Sequence, residues 1–214
     1  MDIKILFSVN LLILFVVSAT LLMKYKNNRQ NTSIQYLTYF IGLHFIGFIL
    51  FVLRNEIPDF ISIIVANMFF AGGTLFFYLA IKTLVNEKTI WRNQYYIPII
   101  VFFIGFITFT YVIYDTKTRI MIYYFYCTVY VLPSAWLLWK HEASRFKLFD
   151  KATAVLLFII SFIFIAIIIQ SIFIELQDYY FSNNNIFMIV SIVIIDIFGL
   201  WTLLALKYRV KKKT

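Results

Sequence analysis

Charge, cysteine, proline and glycine are all scarce in this chain, and each shortage removes a class of protein. Only 14% of the 214 residues are charged, whereas soluble domains carry about 25%. Three prolines and six glycines leave little material for long loops or linkers, so one compact unit is expected over residues 1–214. The single cysteine, Cys127, falls inside an apolar run. That excludes an intrachain disulfide framework or a cysteine metal site, and it leaves the redox compartment unread. What fills the chain instead is apolar: 63% hydrophobic and 21% aromatic, against about 45–50% apolar in ordinary globular chains. The composition is that of a membrane protein. The net charge of +9 does not indicate nucleic acid, because the basic residues lie between apolar runs and not on one soluble face.

A spanning helix needs about 20 mainly apolar residues, since the hydrocarbon core is about 30 Å thick and each residue rises about 1.5 Å. Seven runs meet that requirement, at about 5–23, 35–53, 60–81, 95–114, 120–139, 152–174 and 184–206. The expected fold is all-α, a bundle of seven transmembrane helices. The first run is too long for a signal peptide, and its basic cluster (Lys24, Lys26, Arg29) follows it. Short cytoplasmic connections retain Lys and Arg. With the N-terminus outside, 15 of the 19 basic residues fall on the inner side, leaving Lys4, Arg54, Lys117 and Arg119 outside. The expected topology is therefore N-terminus outside and C-terminus cytoplasmic. Trp91, Tyr95, Tyr96, Tyr114, Trp139, Tyr179 and Tyr180 lie at run ends, where amphipathic rings suit the headgroup zone. Internal repeats of the transporter kind are not visible.

Polar groups inside lipid are costly and face the bundle interior. Asp196, in the middle of the seventh run, reads either as a ligand, ion or proton site or as a structural acid bonded to a neighbouring helix. His44 is central in the second run; paired with an acid it can titrate as a switch, and otherwise it is a hydrogen-bonded packing residue. The third run places Asn67, Ala71, Thr74 and Tyr78 on one narrow face, and the fifth does the same with Tyr123, Cys127, Tyr130 and Ser134 beside Pro133. With Gln170 these faces are candidates for an aromatic, polar-rimmed ligand cavity; the alternative is that the same groups only bond helix to helix. In the turn 54–59, Arg54 can pair with Glu56 or Asp59 or meet a ligand, while Pro58 and Asp59 read as a helix start. No cofactor or metal is expected. A retinal site needs a lysine deep in the seventh run, and Lys207 is at its inner end. Phosphate loops, His-Glu-x-x-His, nucleophile elbows and paired intramembrane aspartates are missing from the sequence, so no enzyme activity is expected.

The segment Phe51-Val-Leu-Arg54-Asn-Glu-Ile-Pro58-Asp59-Phe60-Ile-Ser62-Ile-Ile-Val-Ala66-Asn67-Met-Phe-Phe-Ala-Gly72 resembles the second and third helices of the seven-helix sensory modules at the N-termini of bacterial diguanylate cyclases (GGDEF proteins) and some sensor histidine kinases. The resemblance implies a receptor-like module in a bacterial cytoplasmic (inner) membrane that senses a small signal and passes it to a cytoplasmic signalling protein, to an output domain or through a homodimer. The sequence given ends at Lys207-Tyr-Arg-Val-Lys-Lys-Lys-Thr214 without such an output domain, so a stand-alone sensor or a fragment is expected. Its basic tail is expected to hold anionic lipid, at about 1 kcal/mol per residue. Two rivals stand beside this reading: a small transporter or channel using Asp196 and His44, and a structural membrane subunit.

Overall fold

A computed structural model describes residues 3–27, 30–85, 95–142 and 147–173. These residues are helical with no strand among them; an isolated bridge joins Arg54 to Ile57. The helices are α1 (Ile3–Asn27), α2 (Thr32–Val52), α3 (Ala66–Val85), α4 (Ile97–Ile107), α5 (Thr116–Lys140) and α6 (Lys147–Phe173). Wide, i to i+5 turns precede α3 at Phe60–Val65 and follow α4 at Thr108–Val112. Five segments are long and apolar enough to cross a membrane: Val9–Asn27, Thr32–Val52, Phe60–Val85, Thr116–Lys140 and Lys147–Phe173. The seventh expected run, with Asp196, lies outside the described residues.

The helices run past the apolar runs because polar residues cap them. The Asn31 side chain accepts the Ile34 N–H at 3.2 Å, which starts α2 ahead of the run expected at 35. Asp115 does the same for α5, accepting from the N–H groups of Lys117 at 2.9 Å and Thr118 at 3.3 Å. The fourth run falls short of expectation. Its regular and wide turns cover Ile97–Val112, below the length of the other spans. Pro98 at its start fixes the entry, and Tyr114, held at a φ of 48°, turns the chain over sooner than the apolar pattern suggests.

The Thr118 hydroxyl, followed by the backbone N–H groups of Thr118 and Lys117, holds the Asp115 carboxyl below its ordinary value of 3.8. A depressed folded value stabilises the fold above the unfolded value, and that stabilisation is lost as pH falls through the folded one. Asp115→Ala is expected to cost about 1 kcal/mol at pH 7. Asp115→Asn should cost less, with a deficit that shrinks as pH falls below 3.8 and vanishes once pH has passed the lower folded value. Thermal melts of the three proteins against pH check this.

By contacts the chain divides into two compact units, residues 1–80 with 183–214, and residues 81–182. In the first, α1 turns Asn10, Leu14, Val17 and Leu21 inward, one face at spacings of four, three and four. α2 and α3 pack antiparallel. Phe40 meets Phe77 at 5.1 Å between ring centroids, Tyr36 meets Phe76 at 5.9 Å, and the Ser33 hydroxyl donates to the Ala80 carbonyl at 3.0 Å. In the second unit Phe102 of α4 meets Tyr126 of α5 at 4.8 Å, and Tyr124 of α5 meets Phe164 of α6 at 5.2 Å. Lys117 donates to the Ile172 carbonyl at 3.1 Å. Pro133 sits on the exposed side of α5, which continues through it to Lys140.

Candidate functional site

His44 is buried where α2 meets α3. Its Nδ1–H donates to the Phe40 carbonyl one turn back at 3.0 Å, and its ring lies 4.7 Å from that of Phe40 and 5.5 Å from that of Phe70. Since a carbonyl can only accept, that bond requires a proton on Nδ1. Gly73 makes the space. A Cβ added there would lie 2.2 Å from His44 Nδ1, far inside van der Waals contact, so only glycine lets α3 approach this ring. Nearer the turn, a Cβ on Gly47 would meet the Ala66 carbonyl oxygen at 3.0 Å. Small residues thus set the α2 to α3 spacing.

Asn67 is half-buried on α3, and its amide donates to the Ile63 carbonyl at 2.6 Å. It thereby adds a second donor to a carbonyl within the wide turn that also accepts from the Ala66 N–H. That turn is marked by the Ala66 N–H donating to the Ile61 carbonyl. Arg54 lies in the tight turn above, where the Glu56 and Ile57 N–H groups donate to the Leu53 carbonyl at 2.9 and 3.2 Å and Asn55 adopts a left-handed φ of 78°. Asparagine tolerates that conformation better than most residues.

The remaining described candidates belong to the second unit. Tyr130 is buried on α5, donating to the Tyr95 carbonyl at 2.8 Å, with its ring tilted against that of Tyr126 at 5.1 Å. Tyr123 is half-buried, 6.4 Å from Phe102 and 5.4 Å from Tyr124. The two tyrosines share one aromatic cluster through Phe102 and Tyr126. Gln170 is half-buried on α6. Asp196 lies outside the described residues. His44, Asn67 and Arg54 therefore share one hairpin, and Tyr123 and Tyr130 share one cluster in the other unit.

The hydroxyls carry a clear result. Those of Thr38, Thr74, Thr110, Ser134, Ser161 and Ser171 are buried, and each donates to the carbonyl four residues back in its own helix at 2.5 to 3.0 Å. Each has one proton to give, and it stays within the helix. Helix-to-helix bonds come from other groups, Ser33 to Ala80 and Tyr130 to Tyr95. No group of three or more His, Cys, Asp or Glu side chains suited to a metal occurs among the described residues.

Sequence reasoning missed three features. Arg119, read as a loop charge, is only 5% exposed, donating to the Thr116 hydroxyl at 2.6 Å with its guanidinium 5.6 Å from the Tyr114 ring centroid. His141 and Asp150 pair at 3.1 Å across the turn between α5 and α6. Lys82 bonds the Tyr95 hydroxyl. The Asp-Thr-Lys-Thr sequence at 115–118 signals the cap that places Arg119 one turn in, whereas nothing local signals the other two pairs. No family model, curated protein or solved structure matches the chain.

Proposed function

We propose that this chain is a receptor-like sensory module of seven transmembrane helices in a bacterial cytoplasmic membrane, N-terminus outside, which signals to a cytoplasmic partner by a register shift of α3 on α2. The orientation is supported by basic residues at alternate helix ends: Lys24 and Lys26 closing α1, Lys82 closing α3, Lys140 closing α5, and Lys147 and Lys151 opening α6.

The observation that carries the reading is a glycine pair below a wide turn. Such a turn holds one residue more than the α-helix of the same length. If Phe60–Val65 tightens with its outer end fixed, everything below moves on by one residue, and each place is taken by the residue before it. Gly72 then replaces Gly73 against His44, and Phe76 replaces Phe77 against Phe40. The sequence Gly72-Gly73 and Phe76-Phe77 therefore suits both registers. A ligand that favours one packing shifts the population.

The transport rival requires proton-dependent solute uptake by reconstituted vesicles that is lost in Asp196→Asn. The sensing reading expects no flux. It also expects photo-crosslinking from position 142 in native membranes to capture a cytoplasmic protein, with a yield that changes several-fold when Gly72→Ala blocks the second register. Flux, or a yield indifferent to Gly72→Ala, contradicts it.

A further inference from the structure

We propose that the paired end of α5 and α6 binds an anionic phospholipid, with its headgroup on Lys140 and Lys151 and an acyl chain along the outer face of α5. The Lys140 ammonium lies 4.6 Å from the ring centroid of Trp136, one turn back. Across the turn, Lys151 lies 4.5 Å from the ring centroid of Trp139 and donates to its carbonyl. Both indoles face outward, 52% and 42% exposed. Exposed tryptophans suit headgroup depth, and an ammonium on an indole face is fixed in position while keeping donors for phosphate oxygens.

The local acids do not cancel this charge. Asp150 is 2% exposed, turned inward to His141 Nδ1 at 3.1 Å; Glu142 is exposed at the turn, while Lys147, also exposed, adds a third cation. A lipid fits better than free phosphate because of what continues below. Lys140, Trp136, Leu132, Val129 and Phe125 follow one another at spacings of four, four, three and four, and all are exposed. That is one helix face, cationic at its end and apolar along its length. The proposal rests on the bilayer placement and is independent of the sensing role.

The test uses the full chain in neutral detergent, titrated with phosphatidylglycerol, phosphatidylcholine or inorganic phosphate and read by native mass spectrometry. Preferential retention of phosphatidylglycerol is expected, weakened roughly 30-fold in Lys140→Gln/Lys151→Gln, since each lysine near an anionic surface contributes about fivefold. The Lys140→Arg/Lys151→Arg protein should retain it, as should a tail variant with Lys211, Lys212 and Lys213 changed to Gln. Should the double Gln protein not fold, Lys140→Gln alone, at an exposed helix end, is expected to lose about fivefold. Equal retention of the two lipids, an unchanged affinity in the Gln proteins, loss in the tail variant, or displacement by inorganic phosphate at lipid concentrations would each overturn the proposal.

Discussion

Gly73→Ala is expected to destabilise the protein by about 1–3 kcal/mol, the usual cost of forcing an extra methyl group into a packed interior. The new Cβ would lie 2.2 Å from His44 Nδ1, 2.5 Å from its Cε1 and 3.1 Å from the Phe40 carbonyl oxygen. The ring can yield only by giving up its bond to that same carbonyl. Relief should therefore come from the other side. In a His44→Ala background the same change is expected to cost less than in the parent, and the difference is the coupling between the two positions. Gly72→Ala is the contrast, because its Cβ would meet only Leu43 Cδ1, at the ordinary distance of 3.5 Å. Thermal melts in one detergent give all three values. Equal effects of Gly72→Ala and Gly73→Ala would show that the His44 contact does not set the outcome, because helix propensity alone favours alanine at both positions.

The second large effect concerns chain length. A one-residue deletion in a regular helix turns every later side chain by about 100°. Deleting Leu75, in the regular part of α3 and 3% exposed, removes a buried side chain and keeps Phe77 and Ala80 on α2 only if the wide turn tightens, so it should cost about 2–5 kcal/mol. Deleting Ile61 removes the extra residue of the wide turn, and the helix below keeps its place as an ordinary α-helix. Ile61 is 37% exposed, so less apolar packing is lost with it than with Leu75. The expected result is a folded protein whose melting temperature stays within a few degrees of the parent. Expression and melting of the two deletions check this, and equal failure of both would remove the wide turn from the account.

The helices were legible in the sequence because length and apolarity decide a span: the runs at 60–81 and 120–139 fall on described helices, and so do those at 35–53 and 152–174 as far as Val52 and Phe173. Their ends were less legible, since caps such as Asn31 and Asp115 lie outside the apolar runs. The wide turns were not visible. They depend on which carbonyl the Ala66 N–H finds, and no residue type marks that choice. The polar faces showed the same limit. Spacing alone placed Thr74 and Ser134 on candidate cavity faces, but each hydroxyl had a carbonyl of its own helix within reach. Local geometry took precedence over a partner on another helix. Gly73 was an ordinary small residue until the ring of His44 was found against it.

The most direct test of the register shift is disulfide trapping in a Cys127→Ser background. Ser33→Cys with Ala80→Cys reports the observed register, in which Ser33 Oγ lies 3.0 Å from the Ala80 carbonyl oxygen. Ser33→Cys with Leu79→Cys reports the shifted one. The account predicts that both pairs cross-link in membranes, and that the second is lost when Ile61 is deleted or Gly72→Ala is added. Cross-linking of the first pair alone in the parent, or persistence of the second after either change, would contradict it.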